Sequence, residues 1–271
     1  MRRLGAVPRA LSAVTGPRLA RRDLRLVSTA GYALAARITE PATPGPHPGL
    51  VVSPAIHQGL AGLESWGSPV TAPELARLGY AVLTFDPAGR GASWGEDDHG
   101  GPEHADDVRV AVLALREHGV RDVGVLSLSL GVAAAAAALA RWPGLDVRWL
   151  VDWEGPSDRE VITAGGTRMT PAAGHGLDDD TYWVPREAVR HVAALRCGYV
   201  RLQAHPDHAQ PNELRHAERM LDAARAAPGM PWWRFNDHAP GVGPAEAGWH
   251  AGGTRAANRL LLRVLEALRD P

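Results

Sequence analysis

The feature that most constrains the fold is a repeated alternation of short, almost wholly apolar segments with segments of helical pattern. Apolar runs without a polar alternation are typical of strands buried on both faces of a parallel sheet. A hairpin is predicted at 23–41, around Ala30-Gly31. Further strands are predicted at "GLVVSPA", "YAVLTFD", "DVGVLSLS", "DVRWLVDWEG", "GYVRLQA" and "PWWRFND". Because the helices between parallel strands cross over the sheet, we predict an α/β fold with a mostly parallel, doubly covered sheet of about eight strands.

Composition limits the classes of protein that fit this chain. It has 271 residues, a net charge of −1 and one cysteine, and all of its 29 basic residues are arginine. Without lysine, mechanisms that need a Schiff base or a phosphate-loop lysine are excluded. The balanced charge favours no nucleic-acid partner, and no apolar run is long enough for a membrane span. We expect a cytoplasmic protein, with secretion as the alternative.

The length suits one domain, predicted over 23–271, after a mobile basic tail at 1–22. In open parallel sheets, reactive groups collect at the carboxyl ends of the strands. The stretch "RDVGVLSLSLGVAAAAAALARWPG" places Ser127 and Ser129 at such an end, directly before an alanine-rich helix. Small residues let this helix pack closely on the sheet, and its N-terminus faces any developing oxyanion. A plain strand–turn–helix with a capping serine is the alternative interpretation.

The segment 127–131, "SLSLG", resembles the G-x-S-x-G nucleophile turn of the α/β-hydrolase family, in its serine esterase, lipase and dienelactone hydrolase branch. The resemblance implies that Ser129 is the nucleophile. Gly131 then supplies the small residue that follows it, and Ser127 replaces the usual first glycine. If Ser127 were the nucleophile, the bulky Val125 would occupy a position that needs a small residue.

Two further segments resemble the same family. "TFDPAGRGAS" at 84–93 resembles the D-x-x-G-x-G-x-S loop, in which Asp86 would bind backbone amides and play a structural part. The segment from about 156 to 195 stands where the family inserts a lid, and its shortness here implies an open site.

The family order of nucleophile, acid and histidine implies the remaining catalytic residues. "GYVRLQAHPDHAQP" resembles the strand-and-acid segment, which implies Asp207 as the acid. "PWWRFNDHAPG" resembles the last strand with its histidine loop, which implies His238 as the base. The alternatives are His250 for the base and Asp152 or Glu154 for the acid.

An oxyanion hole needs two backbone N–H donors. The resemblance implies Leu130 as one donor and Ile56 as the other, with Ala55 and His57 as alternatives to Ile56. The residues predicted to contact substrate are His57, Trp153 and Trp183. Metal ligation is an alternative role for the cluster formed by His205, Asp207, His208 and His216. The sequence has no second compact cluster of cysteine or histidine that would complete a four-ligand set. We therefore predict no metal and no cofactor.

Together these features predict a serine hydrolase that cleaves a small-molecule ester with an apolar or aromatic group. The mechanism implied by the resemblance is acyl transfer through Ser129. Two alternatives stay open. One is a peptidase or amidase of the prolyl-oligopeptidase-like branch, and the other is a non-catalytic binding protein with the same fold. The sequence does not indicate an oligomeric state.

Overall fold

The computed structural model describes residues 18–64, 68–164, 175–208 and 214–269. Its strands are β1 (Leu19–Val27), β2 (Ala33–Pro41), β3 (Gly49–Ser53), β4 (Ala81–Phe85), β5 (Val123–Leu128), β6 (Trp149–Trp153), β7 (Gly198–Leu202), β8 (Ala204–His205), β9 (Trp233–Phe235) and β10 (His250–Ala251). Eight of them form one sheet in the order β1-β2-β4-β3-β5-β6-β7-β9. The β1–β2 and β2–β4 pairs are antiparallel, and the other neighbours in this sheet are parallel. The short strands β8 and β10 pair separately.

Helices cover both faces of the sheet. They are α1 (Leu60–Glu64), α2 (Ala72–Arg77), α3 (Pro102–Glu117), α4 (Gly131–Arg141), α5 (Arg159–Ala164), α6 (Asp180–Trp183), α7 (Ala188–Val192), α8 (Arg215–Ala226), α9 (Pro244–Ala247) and α10 (Gly253–Arg269). Buried side chains of α3, α4, α7 and α8 pack on one face, and those of α1, α2 and α10 pack on the other. None of the helices in the described ranges is both long and apolar enough to cross a membrane.

The central strands follow from the apolar runs in the sequence. Every residue of β3, β4, β5, β6 and β7 is buried. Strands covered on both faces need apolar side chains at successive positions, and these segments supply them. The predicted α/β fold, with a mostly parallel and doubly covered sheet of eight strands, is therefore confirmed.

The predicted start of the domain at residue 23 is too late. β1 begins at Leu19, and its first four residues pair with the end of β2, from Leu19 opposite Pro41 to Arg22 opposite Ile38. The arginines in this part of β1 are exposed. Backbone pairing with β2 therefore extends the strand without burying charge. The rest of the predicted tail, at 1–17, lies outside the described residues.

The segment predicted as a lid contains short helices rather than a domain of its own. Within its described part, α5 is followed by α6, a 3₁₀ turn at Val184–Arg186 and α7. Residues 165–174, between α5 and α6, lie outside the described residues. The buried Trp183 packs with Leu130 and Ala133 at the start of α4, so this segment lies beside the end of β5.

Gly131, the first residue of α4, lies against the carboxyl end of β3. A Cβ atom at this position would come within 2.5 Å of the Ser53 carbonyl oxygen and 2.7 Å of the Pro54 carbonyl oxygen. The Ser53 hydroxyl donates to the Gly131 carbonyl over 2.9 Å, which ties the same two segments together. This close approach joins the beginning of α4 to the loop that follows β3.

We expect Gly131→Ala to lower the free energy of unfolding by about 1–3 kcal/mol, because backbone atoms must move to admit the methyl group. Chemical denaturation measures this change. Gly144→Ala is the matched control, since a Cβ atom at exposed Gly144 would meet nothing within 4 Å. Equal stability of the two variants would contradict the close packing of α4 on β3.

Candidate active site

Ser129 occupies a strained turn between β5 and α4. Its φ angle is 50°, in the left-handed region that non-glycine residues rarely adopt. The Ser129 N–H donates to the Trp153 carbonyl over 2.9 Å, which anchors the turn to the end of β6. By contrast, Ser127 is fully buried, and its hydroxyl donates to the Val151 carbonyl over 3.2 Å. Of the two serines, Ser129 therefore has the more accessible hydroxyl.

One imidazole joins Ser129 to a carboxylate. His208 Nε2 lies 2.9 Å from Ser129 Oγ, and His208 Nδ1 lies 3.0 Å from Glu154 Oε2. With neutral His208, Nδ1–H donates to Glu154 and Nε2 accepts from the serine hydroxyl. This arrangement of hydroxyl, imidazole and carboxylate has the hydrogen-bond pattern needed to remove a proton from Ser129.

Glu154 is held firmly in the position that faces His208. Its φ angle is 49° and its side chain is buried. The Glu154 N–H donates to the Leu202 carbonyl over 2.9 Å, and its Oε1 accepts from the Ala204 N–H over 3.2 Å. Left-handed geometry costs a non-glycine residue about 1–3 kcal/mol, and here the contacts with β7 and β8 hold it in place.

The ring of Trp153 packs against His208. Their ring centroids are 4.8 Å apart with an interplanar angle of 32°, and the Trp153 side chain is buried. Since Trp153 ends β6 and Glu154 follows it directly, one strand end supplies both the hydrogen-bond acceptor and the apolar support of the imidazole. Trp153 therefore limits the orientation of the His208 ring.

Two backbone segments with amide donors meet next to Ser129. Leu130 precedes α4 directly, and Ile56 lies in the turn that follows β3. The Gln58 N–H closes this turn by donating to the Ala55 carbonyl over 3.0 Å, while the Ala55 N–H donates to the Gln58 side chain over 3.1 Å. Ala55 therefore has no free N–H to offer. Ile56 and Leu130 line the same small cavity.

Structural comparison identifies the architecture around this site. An esterase of Pyrococcus furiosus, Pf2001, is similar over 93% of this chain and 91% of its own, with a TM-score of 0.65 and 13% sequence identity. A 2,6-dihydroxy-pseudo-oxynicotine hydrolase is similar over 92% of this chain and 66% of its own, with a TM-score of 0.63 and 18% identity. The acylaminoacyl peptidase of Pyrococcus horikoshii is similar over 95% of this chain and 41% of its own, with a TM-score of 0.68 and 13% identity.

The chain has the α/β-hydrolase fold. No family model matches the sequence, and no curated protein matches it. At 13–18% identity, the similar structures establish this fold and leave the chemistry to be argued from the residues of the chain.

Within this α/β-hydrolase fold, the predicted acid, Asp207, faces a different histidine from the one beside Ser129. Asp207 Oδ2 lies 2.9 Å from His216 Nε2 and accepts from the Gln203 side chain over 3.2 Å. Because Ser129 and Glu154 already engage both ring nitrogens of His208, Asp207 is not the group that orients this ring. The carboxylate that does so is Glu154, one of the alternatives for the acid.

The predicted base, His238, is likewise not the imidazole that lies beside Ser129. The ring of His238 packs on Phe235 at a centroid distance of 6.0 Å, whereas His208 contacts Ser129. His250, the alternative, lies in β10, where it pairs with Ala204. The loop after β9 thus returns toward the site through this pairing, but the imidazole within hydrogen-bond distance of Ser129 Oγ is that of His208.

The sequence contained signals for both residues. Glu154 follows a predicted strand, and with His208 it keeps the chain order of nucleophile, acid and histidine. The structure divides the cluster considered for metal ligation, because His208 contacts Ser129 and Glu154, while His216 lies against Asp207. Among the described residues, no group of three or more histidine, cysteine or acidic side chains is arranged to hold a metal ion.

The residues predicted to contact substrate occupy different environments. Trp183 is buried, and its indole N–H donates to the Gly176 carbonyl over 2.8 Å. Trp153 is buried against His208. His57 is exposed, with a φ angle of 59°, in the turn next to Ile56. Only His57 of these three therefore offers much accessible surface near the site.

The loop after β4 lines the cavity that Ile56 and Leu130 share. Asp86 accepts from the Leu60 N–H over 2.7 Å and from the Ala92 N–H over 2.8 Å, so its carboxylate binds backbone amides. His104 on α3 is buried and lines the same cavity as Ile56 and Leu130. Burial, reinforced by the positive charge of Arg90, lowers the pKa of His104 to about 4.

The pKa of His104 makes stability depend on pH in a defined window. The unfolded chain takes up a proton near pH 6.5, whereas the folded chain does so only near pH 4. Below pH 6.5, we therefore expect stability to decrease as pH falls, by up to about 1.4 kcal/mol per pH unit from this group. Chemical denaturation between pH 4 and 7 measures the slope. His104→Asn should reduce the slope by that amount, and an unchanged slope would contradict the neutral state of His104 in the folded protein.

Proposed function

We propose that the protein is a serine hydrolase that cleaves carboxylic esters, with Ser129 as nucleophile, His208 as general base and Glu154 as the orienting acid. The observation that carries this proposal is the position of His208, within hydrogen-bond distance of both Ser129 Oγ at 2.9 Å and Glu154 Oε2 at 3.0 Å. A serine hydroxyl is a weak nucleophile unless such a base takes its proton, and the base works best when a carboxylate fixes its tautomer.

In the acylation step, His208 Nε2 carries the proton and His208 Nδ1 keeps its hydrogen bond to Glu154. Ser129 Oγ bonds to the ester carbonyl carbon while its proton passes to His208 Nε2. Glu154 stabilises the imidazolium that forms, through the hydrogen bond from Nδ1–H. The bond to the leaving oxygen then breaks, and Nε2–H gives its proton to that oxygen. The alcohol leaves, and the acyl group stays on Ser129.

Deacylation repeats these roles with water. A water molecule gives one proton to His208 Nε2 as its oxygen bonds to the acyl carbon. The bond to Ser129 Oγ breaks, the proton returns to Oγ, and the carboxylic acid leaves. No further reactant is needed, because the reaction consumes one water and the catalytic groups end in their initial protonation states.

The amides of Leu130 and Ile56 would bind the oxyanion in both steps. Leu130 lies at the N-terminus of α4, where the helix dipole adds positive potential. Ile56 lies in the turn after β3, which the packing of Gly131 holds against the start of α4. Two backbone donors aimed at the developing charge stabilise the transition state, because they need no reorganisation during the reaction.

The apolar surroundings of the site favour an ester with a small apolar group as the substrate. The partly buried Ile56 and Tyr182 pack on a buried apolar group formed by Leu130, Ala133, Ile162 and Trp183, which gives an apolar rim for a small acyl or alcohol group. Exposed His57 is our candidate for contact with the substrate at this rim.

Labelling with a fluorophosphonate probe tests the nucleophile. We expect the protein to react with one equivalent of probe, and Ser129→Ala to abolish the reaction because the attacking oxygen is gone. Hydrolysis of a short-chain aryl ester should fall by roughly 10⁶-fold in kcat in the same variant. An equivalent peptide amide, assayed in parallel, should be cleaved far more slowly than the ester. A protein that stays unlabelled, although folded by circular dichroism, would contradict the proposal.

Substitution of the acid and of the two candidate bases tests their assignment. Glu154→Gln should lower kcat by roughly 10³- to 10⁴-fold, because the amide no longer stabilises the imidazolium. His208→Gln should lower kcat at least as much. His238→Gln is the matched control, and we expect its kcat to stay within about threefold of the wild-type value. If His238→Gln were inactive and His208→Gln active, the proposed base would be wrong.

A further inference from the structure

Arg90 is a partly buried cation close to the site, and the catalytic steps do not use it. It lies in the loop after β4, its side chain is 9% exposed, and it lines the cavity that Ile56 and Leu130 share. Its guanidinium donates in two directions. Nε and Nη2 form a fork on the Asp97 carboxylate over 2.8 and 3.0 Å, and Nη1 donates to the Ala55 carbonyl over 3.2 Å.

The Ala55 carbonyl belongs to the same peptide group as the Ile56 N–H. A trans peptide group is planar, and its C=O and N–H point in opposite directions. Whatever fixes the Ala55 oxygen therefore fixes the direction of the Ile56 N–H. Two donors hold this oxygen, Gln58 N–H from within the turn and Arg90 Nη1 from the loop after β4.

Asp97 keeps the guanidinium of Arg90 in this orientation. Burial alone would raise the pKa of Asp97, but the hydrogen bonds from Arg90 and from the His99 N–H outweigh it and lower the pKa to about 2. Asp97 is therefore ionised across the working pH range. A bidentate contact between a guanidinium and a carboxylate restricts rotation of the planar fork, so the third donor, Nη1, points in one direction.

We propose that Arg90 is a positioning residue for the oxyanion hole, which it serves by holding the Ala55–Ile56 peptide group so that the Ile56 N–H faces the developing oxyanion. This inference rests on the proposed function, since it assigns a role within acyl transfer. It goes beyond that function because it assigns the orientation of the Ile56 N–H to a charged side chain of the D-x-x-G-x-G-x-S loop.

The variant that tests this role is Arg90→Met, which keeps an unbranched, flexible side chain of four atoms and removes all donors. Arg109→Met is the matched control, because Arg109 also pairs with a carboxylate, Asp106, over 2.7 Å, but does not line the cavity that Ile56 and Leu130 share. Two readouts are measured for both variants and the wild type. One is kcat per site titrated with the fluorophosphonate probe, and the other is the hydrogen exchange rate of the Gln58 amide.

For Arg90→Met, we expect kcat per titrated site to fall by roughly 10- to 100-fold with KM within about threefold, because a donor displaced by about 1 Å loses transition-state binding. The Gln58 amide should exchange at least about tenfold faster, because its acceptor loses one of two restraints. Arg109→Met should change neither value. Arg90→Lys should give an intermediate kcat, because one ammonium cannot serve Asp97 and Ala55 with the same geometry.

The two readouts separate failure of this inference from failure of the proposed function. Unchanged exchange of Gln58 in Arg90→Met would overturn the positioning role, whatever the activity. Faster exchange with an unchanged kcat per titrated site would overturn the link to the oxyanion. A loss of titratable sites without a change in kcat per site would indicate a structural role only, and would also overturn it. If the wild type failed to react with the probe but Gln58 exchange still rose, the proposed function would fail while the effect of Arg90 on the turn would stand.

Discussion

The parallel pairing of β5, β6 and β7 is the constraint on which the rest of the site depends. Backbone hydrogen bonds hold the carboxyl ends of these strands side by side, with Leu128 opposite Trp153 and Trp153 opposite Leu202. Ser129 follows the first strand, Glu154 the second, and His208 lies a few residues beyond the third. Because neighbouring strands are about 4.8 Å apart, side chains that follow them can meet without long loops. The chemistry of the site is therefore set by the order of strands in the sheet.

Further contacts around β5, β6 and β7 fix the positions of the side chains at the ends of these strands. The Ser129 N–H binds the end of β6, and Trp153 of the same strand packs on His208. Arg201 in β7 is fully buried and pairs with Asp152 in β6 over 2.7 Å. A buried ion pair of this kind adds little net stability, but it leaves few alternative arrangements for the two strands. The proposed catalytic groups thus lie at strand ends whose own positions are closely determined.

Much of the fold could be predicted from the sequence, because buried parallel strands need apolar residues at successive positions. The apolar runs therefore indicated the central strands, and the small residues around Ser129 indicated the turn before α4. The beginning of β1 was missed, because its arginines are typical of a solvated tail and only the pairing with β2 shows that they lie in a strand.

The acid and the base could not be assigned in the same way. Several acidic residues and histidines follow predicted strands, and the sequence does not state which strands are neighbours in the sheet. Asp207 precedes His208 directly, yet the two side chains face different partners, His216 and Ser129. Both residues lie beyond the end of β8, where their side chains diverge, so proximity in sequence did not identify the pair that meets in space.

The proposed mechanism requires that one imidazole, that of His208, serves Ser129. A crystal structure of the protein after reaction with a fluorophosphonate would show this arrangement. We expect a bond from phosphorus to Ser129 Oγ, a phosphoryl oxygen within about 3 Å of the Leu130 and Ile56 amides, and His208 between this adduct and Glu154. An adduct on another residue, or the imidazole of His238 or His250 in the place of His208, would contradict it.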